Sequence, residues 1–189
     1  SELDSPEPRI TGKDARHIKT VLRLAPKDAI VVTDGIGGMF EARITAVEQQ
    51  CVQVAIESRL SVENESSLDL IVAQGFLKDK KMDDLVRHLT ELGVTRWIPM
   101  MTSRAVARPD ARRIEKRRHR WQSIAVEAIK QCGRSMAPAI DPVMEFADVL
   151  NMASEVDQSL FFWEKAPAPL DPDPGGKPAS ILILLGPEG

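Results

Sequence analysis

Metal chemistry has little to work with in this chain. Only two cysteines, Cys51 and Cys132, and three histidines, His17, His88 and His119, occur in 189 residues, and none has companions at ligand spacing. Cys51 opens an apolar strand pattern and Cys132 closes a helix, so both are expected to be buried thiols. His88 falls one position off the apolar stripe of its helix, and His119 belongs to a basic run. No apolar run approaches the length that crosses a bilayer, and no charged-then-apolar signal segment opens the chain. A cytosolic protein is the expectation. A phosphate loop of the Walker type is also missing. Gly35-Ile36-Gly37-Gly38 sits between two alternating strands rather than before a helix, so it reads as a hairpin and not as a dinucleotide fingerprint. No Ser-His-Asp or Cys-His arrangement stands out. What is present is the ordinary composition of a soluble protein, 43% hydrophobic, 28% charged and 4% aromatic, in a length that suits one large domain or two small ones.

Charge is unevenly spread. Arg104, Arg108, Arg112, Arg113, Lys116, Arg117, Arg118 and Arg120 face only Asp110 and Glu115 in their segment, while the whole chain carries −3. Segregation of this kind suits a surface that meets a polyanion. A solvated helix face is the alternative.

The periodicity divides the chain. Residues 1–9 read as a polar tail, and Thr11 with Asp14 resembles a capping box that starts a short helix through Leu22. The period then becomes two. Strands are predicted at Ala29–Asp34, at Met39–Val47 with Phe40, Ala42, Ile44 and Ala46 on one face, and at Cys51–Ser58 with Val52, Val54 and Ile56. These make a small antiparallel β domain, with Ser58–Ser67 as its linker. Beyond it, strand and helix alternate: strand Leu68–Gly75, helix Lys78–Leu92, strand Arg96–Met100, helix Ala111–Cys132, a short helix at Asp141–Ala153, strand Gln158–Glu164, and a last strand at Ile181–Leu185. Met82, Leu85, Val86, Leu89 and Leu92 form the stripe of the first helix, closed by Gly93; the second becomes amphipathic only from Trp121. Such alternation predicts a largely parallel sheet with helices on both faces.

Two segments carry candidate chemistry. Ile181–Leu185 is an unbroken apolar strand fit for the middle of a sheet, and it runs into Gly186-Pro187-Glu188-Gly189. Strands of open α/β sheets deliver ligand loops at their carboxyl ends, and glycine there lets backbone approach a ligand. Lys78-Asp79-Lys80-Lys81-Met82-Asp83 follows the first parallel strand, either facing the same crevice or forming a charged first helical turn.

Taken in order, these segments resemble a known family. Ala15-Arg16-His17-Ile18, Val21-Leu22-Arg23 and Asp34-Gly35 are similar to the N-terminal module of the RsmE family, the bacterial 16S ribosomal RNA uridine N3-methyltransferases of the SPOUT (knotted) superfamily. The likeness continues through Lys78–Val94, Ile98-Pro99, Ser103-Arg104, Arg120-Trp121, Ile124, Glu127-Ala128, Gln131, Arg134, Pro138, Trp163-Glu164 and Leu184–Gly189. It implies an α/β protein: a small antiparallel PUA-like β-barrel that binds RNA, at residues 1–62, then a SPOUT-type, mostly parallel methyltransferase domain at 68–189. It also implies a homodimer and S-adenosylmethionine as methyl donor, with 16S rRNA or the assembled small subunit as substrate. Trp163, Glu164, Leu184, Leu185, Gly186, Pro187, Glu188 and Gly189 then belong to the cofactor loops. Ser1 stands where Met is usual, and the family's basic N-terminal strand and knot-completing C-terminal segment have no counterpart, so an incomplete knot and poor cofactor binding are expected.

The substrate shapes the mechanism the resemblance implies. Uridine N3 carries a proton and lies on the pairing edge, so it must be unpaired and its anion stabilised. Arg104 or Arg134 is a candidate cation for the uracil carbonyls, and Glu188 a candidate orienting or proton-accepting group. Arg16, His17, Lys19 and Arg23 on the short helix, with Lys78, Lys80, Arg104, Arg108, Arg112 and Arg113, are the candidate RNA contacts. The alternative reading of the same residues is a non-catalytic RNA-binding or ribosome-assembly protein that uses the barrel and basic helix.

Overall fold

The computed structural model describes residues 8–61, 65–77, 80–103, 110–163, 165–166, 169–170 and 176–187. These form two compact units, divided between residues 64 and 65.

In the first unit, two-residue alternation builds an antiparallel sheet of β1 (Arg9–Thr11), β2 (Ala29–Thr33), β3 (Met39–Val47) and β4 (Cys51–Arg59), in the order β1-β4-β3-β2. One face is apolar: Ala42, Ile44, Val52 and Val54 pack on Ala15 and Ile18. The last two belong to α1 (Gly12–His17) and to the wider π-helical stretch Ile18–Leu22 that continues it. Arg23, at φ 54°, turns left-handed and stops the stretch. The sheet leaves β1 and β2 as its edges, an antiparallel half-barrel.

Three local expectations fail here for identifiable reasons. Arg9 is not tail but opens the strand Arg9–Thr11, which pairs with Gln53, Val52 and Cys51. A three-residue strand with one apolar side chain, Ile10, leaves almost no periodic signal. The Thr11 side chain makes no cap bond, so the expected capping box does not form. An irregular register between Ile44 and Ala46 turns β3 by one residue, so Val47 rather than Ala46 joins the core.

The second unit is a parallel sheet in the order β7-β6-β5-β10-β9. Its strands are β5 (Asp69–Gly75), β6 (Arg96–Met101), β7 (Ala139–Ile140), β9 (Gln158–Phe162) and β10 (Ser180–Leu185), with β8 (Met144–Glu145) also pairing β6. Helices α2 (Lys81–Glu91) and α3 (Ala111–Cys132) cover one face, where Val72 and Trp97 meet Met82, Val86, Leu89, Trp121 and Ala125. Helix α4 (Phe146–Met152) covers the other, with Val149 against Ile71, Ala73, Ile98, Leu182 and Leu184. The Ile/Leu run therefore sits between β5 and β9 as expected, although only Leu182 and Leu184 are fully buried. At the amino ends, Asp157 Oδ2 accepts from the Ala179 and Ser180 N–H groups at 2.7 and 3.0 Å, clasping β9 to β10. Those backbone bonds hold its carboxyl below the ordinary range.

Helix ends follow their chemistry. Asp110 caps α3 through Oδ1, which accepts from the Arg113 N–H at 3.0 Å, and Gly133 closes it at φ 74°. Leu92 lies at the C-cap of α2, off the stripe, and is 74% exposed; Thr90 is buried in its stead. Cys132, the last residue of α3, is exposed rather than buried, whereas Cys51 is buried. The segment from Asp141 begins as extended chain and β8, and its helix starts only at Phe146.

Candidate active site

The parallel register brings four chain segments to one edge of the sheet. Leu185 lies beside Gln74 on one side and Phe162 on the other, and Gly75 lies beside Met100. The next residues, Gly186, Trp163 and Met101, therefore emerge together at the strands' carboxyl ends, where open α/β sheets bind ligands. Gly186-Pro187 turns directly over β5. A Cβ added at Gly75 would sit 2.7 Å from Pro187 Cδ and from Pro187 N, so only glycine admits the turn. Gln74 is buried, and its side-chain amide donates to the carbonyls of Gly186 at 2.8 Å and Gly75 at 3.1 Å. Gln74 and Gly75 are thus part of the site, though periodicity marks them only as the end of a strand. The sole sequence signal is a polar residue followed by glycine at the end of a buried apolar run.

The expected cofactor residues divide by face and position. Leu184 is buried beneath α4, Leu185 is half-buried on the α2 and α3 side, and Gly186 and Pro187 are half-buried at the edge. Trp163 is 51% exposed at the same edge. Glu164, Glu188 and Gly189 lie outside the described residues, as do Arg104, Arg108 and Lys78. Lys80 is exposed just ahead of α2. Arg112 and Arg113 are exposed in the first turn of α3.

Arg134 is elsewhere. It lies at the opposite edge, beside the amino end of β6, where Nη1 donates to the carbonyls of Thr90 at 2.7 Å and Val94 at 3.2 Å. Nε and Nη2 both donate to Glu65 Oε2, at 3.1 and 2.8 Å. The other carboxylate oxygen accepts from the Ser135 and Met136 N–H groups at 2.8 and 3.1 Å. Burial alone would raise the Glu65 carboxyl, but the Arg134 and backbone hydrogen bonds together hold it below its ordinary value. A guanidinium this engaged, with the strands' length separating it from Gly186, ties the start of the domain to the end of α3 and does not face the turn.

Two of the four RNA candidates of the half-barrel, Arg16 and Lys19, line a cleft of about 840 Å³ together with Arg9, Glu48 and Cys51 among others. Lys19 Nζ donates to the Glu48 and Gln49 carbonyls at 2.6 and 2.8 Å, so it also fixes the β3–β4 turn. His17 and Arg23 are exposed but do not line the cleft.

On the second unit, α3 is anchored at Trp121. Its indole N–H donates to Asp83 Oδ1 at 3.0 Å, Arg120 bonds the other carboxylate oxygen at 2.8 Å, and the ring stands edge-on to Trp97 with centroids 4.9 Å apart. Asp83 lies in the first turn of α2, near the carboxyl edge.

A profile of RNA methyltransferase domains matches residues 64–189, and one of RNA methyltransferase PUA domains matches residues 10–57. Fold and matches together define the class: a PUA-like half-barrel followed in sequence by a SPOUT-type α/β methyltransferase domain. The chain belongs to the RNA methyltransferase family, and within it to the RsmE group. It is 27% identical over 195 residues to ribosomal RNA small subunit methyltransferase E of Bacillus subtilis (strain 168), covering 98% of this chain and 75% of that one. The enzyme of the same name from Synechocystis is 28% identical over 184 residues, 95% of this chain and 59% of that one. Among solved structures, ribosomal RNA small subunit methyltransferase E of Neisseria gonorrhoeae, bound to S-adenosyl methionine, superposes with a TM-score of 0.82 at 27% identity, covering 95% of this chain and 74% of that one.

Proposed function

We propose that the protein transfers a methyl group from S-adenosylmethionine to N3 of a uridine in the 16S rRNA of the small ribosomal subunit. The observation that carries this is the Gly186-Pro187 turn, seated on Gly75 and held by Gln74 beside Trp163 at the carboxyl edge, in a chain of the RNA methyltransferase family. These residues fit one wall of a methyl-donor pocket. Gly75 admits the backbone where a side chain would obstruct it, and Gln74 fixes the Gly186 carbonyl. Trp163 offers an exposed ring beside them. S-adenosylmethionine, when bound, supplies an electrophilic methyl group.

The chain's own residues have three tasks. The turn and Trp163, with Glu164, Leu184, Leu185, Glu188 and Gly189, orient the donor. Glu188 and Arg104, which flank that edge in sequence, are the proposed groups for accepting the N3 proton and balancing charge on the uracil carbonyls. Arg16, His17, Lys19 and Arg23 of the barrel domain (residues 1–62), with Lys78, Lys80, Arg108, Arg112 and Arg113 of the catalytic domain (68–189), hold the RNA. The protein works in the cytoplasm as a homodimer, on 16S rRNA free or assembled; no described helix is long and apolar enough to cross a membrane.

The test is nucleoside mass spectrometry of 16S rRNA from a strain lacking the gene. N3-methyluridine should vanish there and return on complementation. Unchanged N3-methyluridine would overturn the assignment.

A further inference from the structure

The half of α3 that precedes Trp121 has no packing role that explains its composition. Arg112, Arg113, Lys116, Arg117 and Arg120 are all exposed. At 3.6 residues per turn, these five cations fall within an arc of about 140°. Arg112, Lys116 and Arg117 have no ion-pair partner among the described residues, while Arg113 leans on the capping Asp110 at 3.3 Å and Arg120 on Asp83 at 2.8 Å. The only acid between them in sequence, Glu115, points to the other side of the helix. There it meets Arg118 at 3.4 Å and His119 at 3.5 Å. The cations thus form one stripe, with Glu115 turned away from it and Asp110 and Asp83 engaging only Arg113 and Arg120.

Position and rigidity add to composition. Trp121 and Arg120 are bonded to Asp83 in the first turn of α2, which follows the carboxyl end of β5. The nine residues from Ala111 to His119, about 14 Å at 1.5 Å per residue, therefore lie ahead of this anchor in the helix that follows the carboxyl end of β6. The stripe has no aromatic ring to stack a base and no amide to read one. Unpaired RNA is gripped by stacking, whereas paired RNA is met through its phosphates and 2′-hydroxyls. A straight, stiff row of charges suits a straight, stiff row of phosphates.

We propose that the α3 stripe is a cradle for the sugar-phosphate backbone of a paired RNA segment next to the target, separate from the contacts that hold the unpaired uridine. The proposal rests on the reading of the protein as an rRNA methyltransferase. It assigns to Lys116, Arg117 and Arg120 a role alongside Arg112 and Arg113.

The experiment measures binding of the complete protein to two probes over a range of salt. One probe is an RNA duplex of about 16 base pairs, the other an oligouridylate of equal length. Replacing Arg112, Lys116 and Arg117 together by Gln should lower the log–log salt slope on the duplex by about three, one per phosphate contact, and weaken binding accordingly. Affinity for oligouridylate should hold within about twofold. Arg112→Lys with Arg117→Lys keeps the charge and should keep the duplex slope, and Lys116→Gln alone should lower it by about one. Unchanged melting and circular dichroism identify folded variants. An unaltered duplex slope in the triple variant, or equal losses on both probes, would overturn the cradle. If the wild type leaves rRNA unmethylated while the variants lose duplex binding, the functional reading falls and the cradle stands. If the wild type methylates rRNA and the variants bind the duplex as it does, the cradle falls and the functional reading stands.

Discussion

Single residues decide whether the two edges of the parallel sheet hold their shape. At the amino edge, the Arg134–Glu65 pair is largely buried, with side-chain exposures of 8% and 19%. Arg134→Met removes the cation and strands the carboxylate, so urea unfolding should show a loss of about 3 kcal/mol. The pair also sets a pH limb. The Glu65 carboxyl titrates below its ordinary 4.5 in the folded chain. Its stabilising contribution is therefore complete above that ordinary value and fades as pH falls through the folded one. Glu65→Gln should be less stable than wild type near neutral pH, with the gap closing in acid; a gap independent of pH would refute the linkage. At the carboxyl edge, Gly75→Ala drives a methyl group into Pro187. Binding of S-adenosylhomocysteine, followed by calorimetry, should weaken at least about tenfold, or 1.4 kcal/mol. Gln74→Leu, which leaves the Gly186 carbonyl without its donor, should do the same while the amino-edge pair is untouched. Of this, the sequence shows as residue chemistry only the Gly186-Pro187 loop, with Gln74-Gly75 as a faint mark at the end of an apolar run. Arg134 reads there as a candidate catalytic cation because a conspicuous arginine looks alike whether it faces a substrate or a carboxylate 69 positions away.

Elements are far more legible, because periodicity and caps are local. Helix α3 begins and ends where Asp110 and Gly133 place it, and Trp121 marks where its packing starts. The ILILL run is an interior strand because nothing but an apolar environment accommodates five such side chains. What escapes the sequence is set by pairing at a distance. Strand β1 exists because β4 offers it an edge, and the β3 irregularity that brings in Val47 belongs to the ladder rather than to either strand. The joint between α2 and α3 is of the same non-local kind. Asp83 bonds both Arg120 and the Trp121 indole. Asp83→Ala should therefore cost about 1–2 kcal/mol, and hydrogen exchange should quicken along residues 111–120 before it changes in the strands. Uniform acceleration across the domain would mean that Asp83 is not the anchor of the basic half of α3.

At the scale of the whole molecule, each unit has its own core: one joins Ala42, Ile44, Val52 and Val54 to Ala15 and Ile18, while two others lie on either face of the parallel sheet. A ligand that binds one unit stabilises the unit that it binds. The carboxyl-edge site draws all its described residues from the second unit, and so do Trp97, Trp121 and Trp163, the chain's three tryptophans. Tryptophan fluorescence thus reports on the site-bearing unit alone, while the half-barrel can be followed by exchange of the β3 and β4 amides. With S-adenosylhomocysteine at a hundred times its Kd, the fluorescence-detected unfolding free energy should rise by about 2.7 kcal/mol. Amide protection in β3 and β4 should respond much less. An equal gain in both would show that the units unfold together, and a gain confined to β3 and β4 would move the cofactor site out of the parallel sheet. The same ligand added to Gly75→Ala should produce little fluorescence-detected gain, because the turn that Gly75 admits is the wall on which the stabilisation depends.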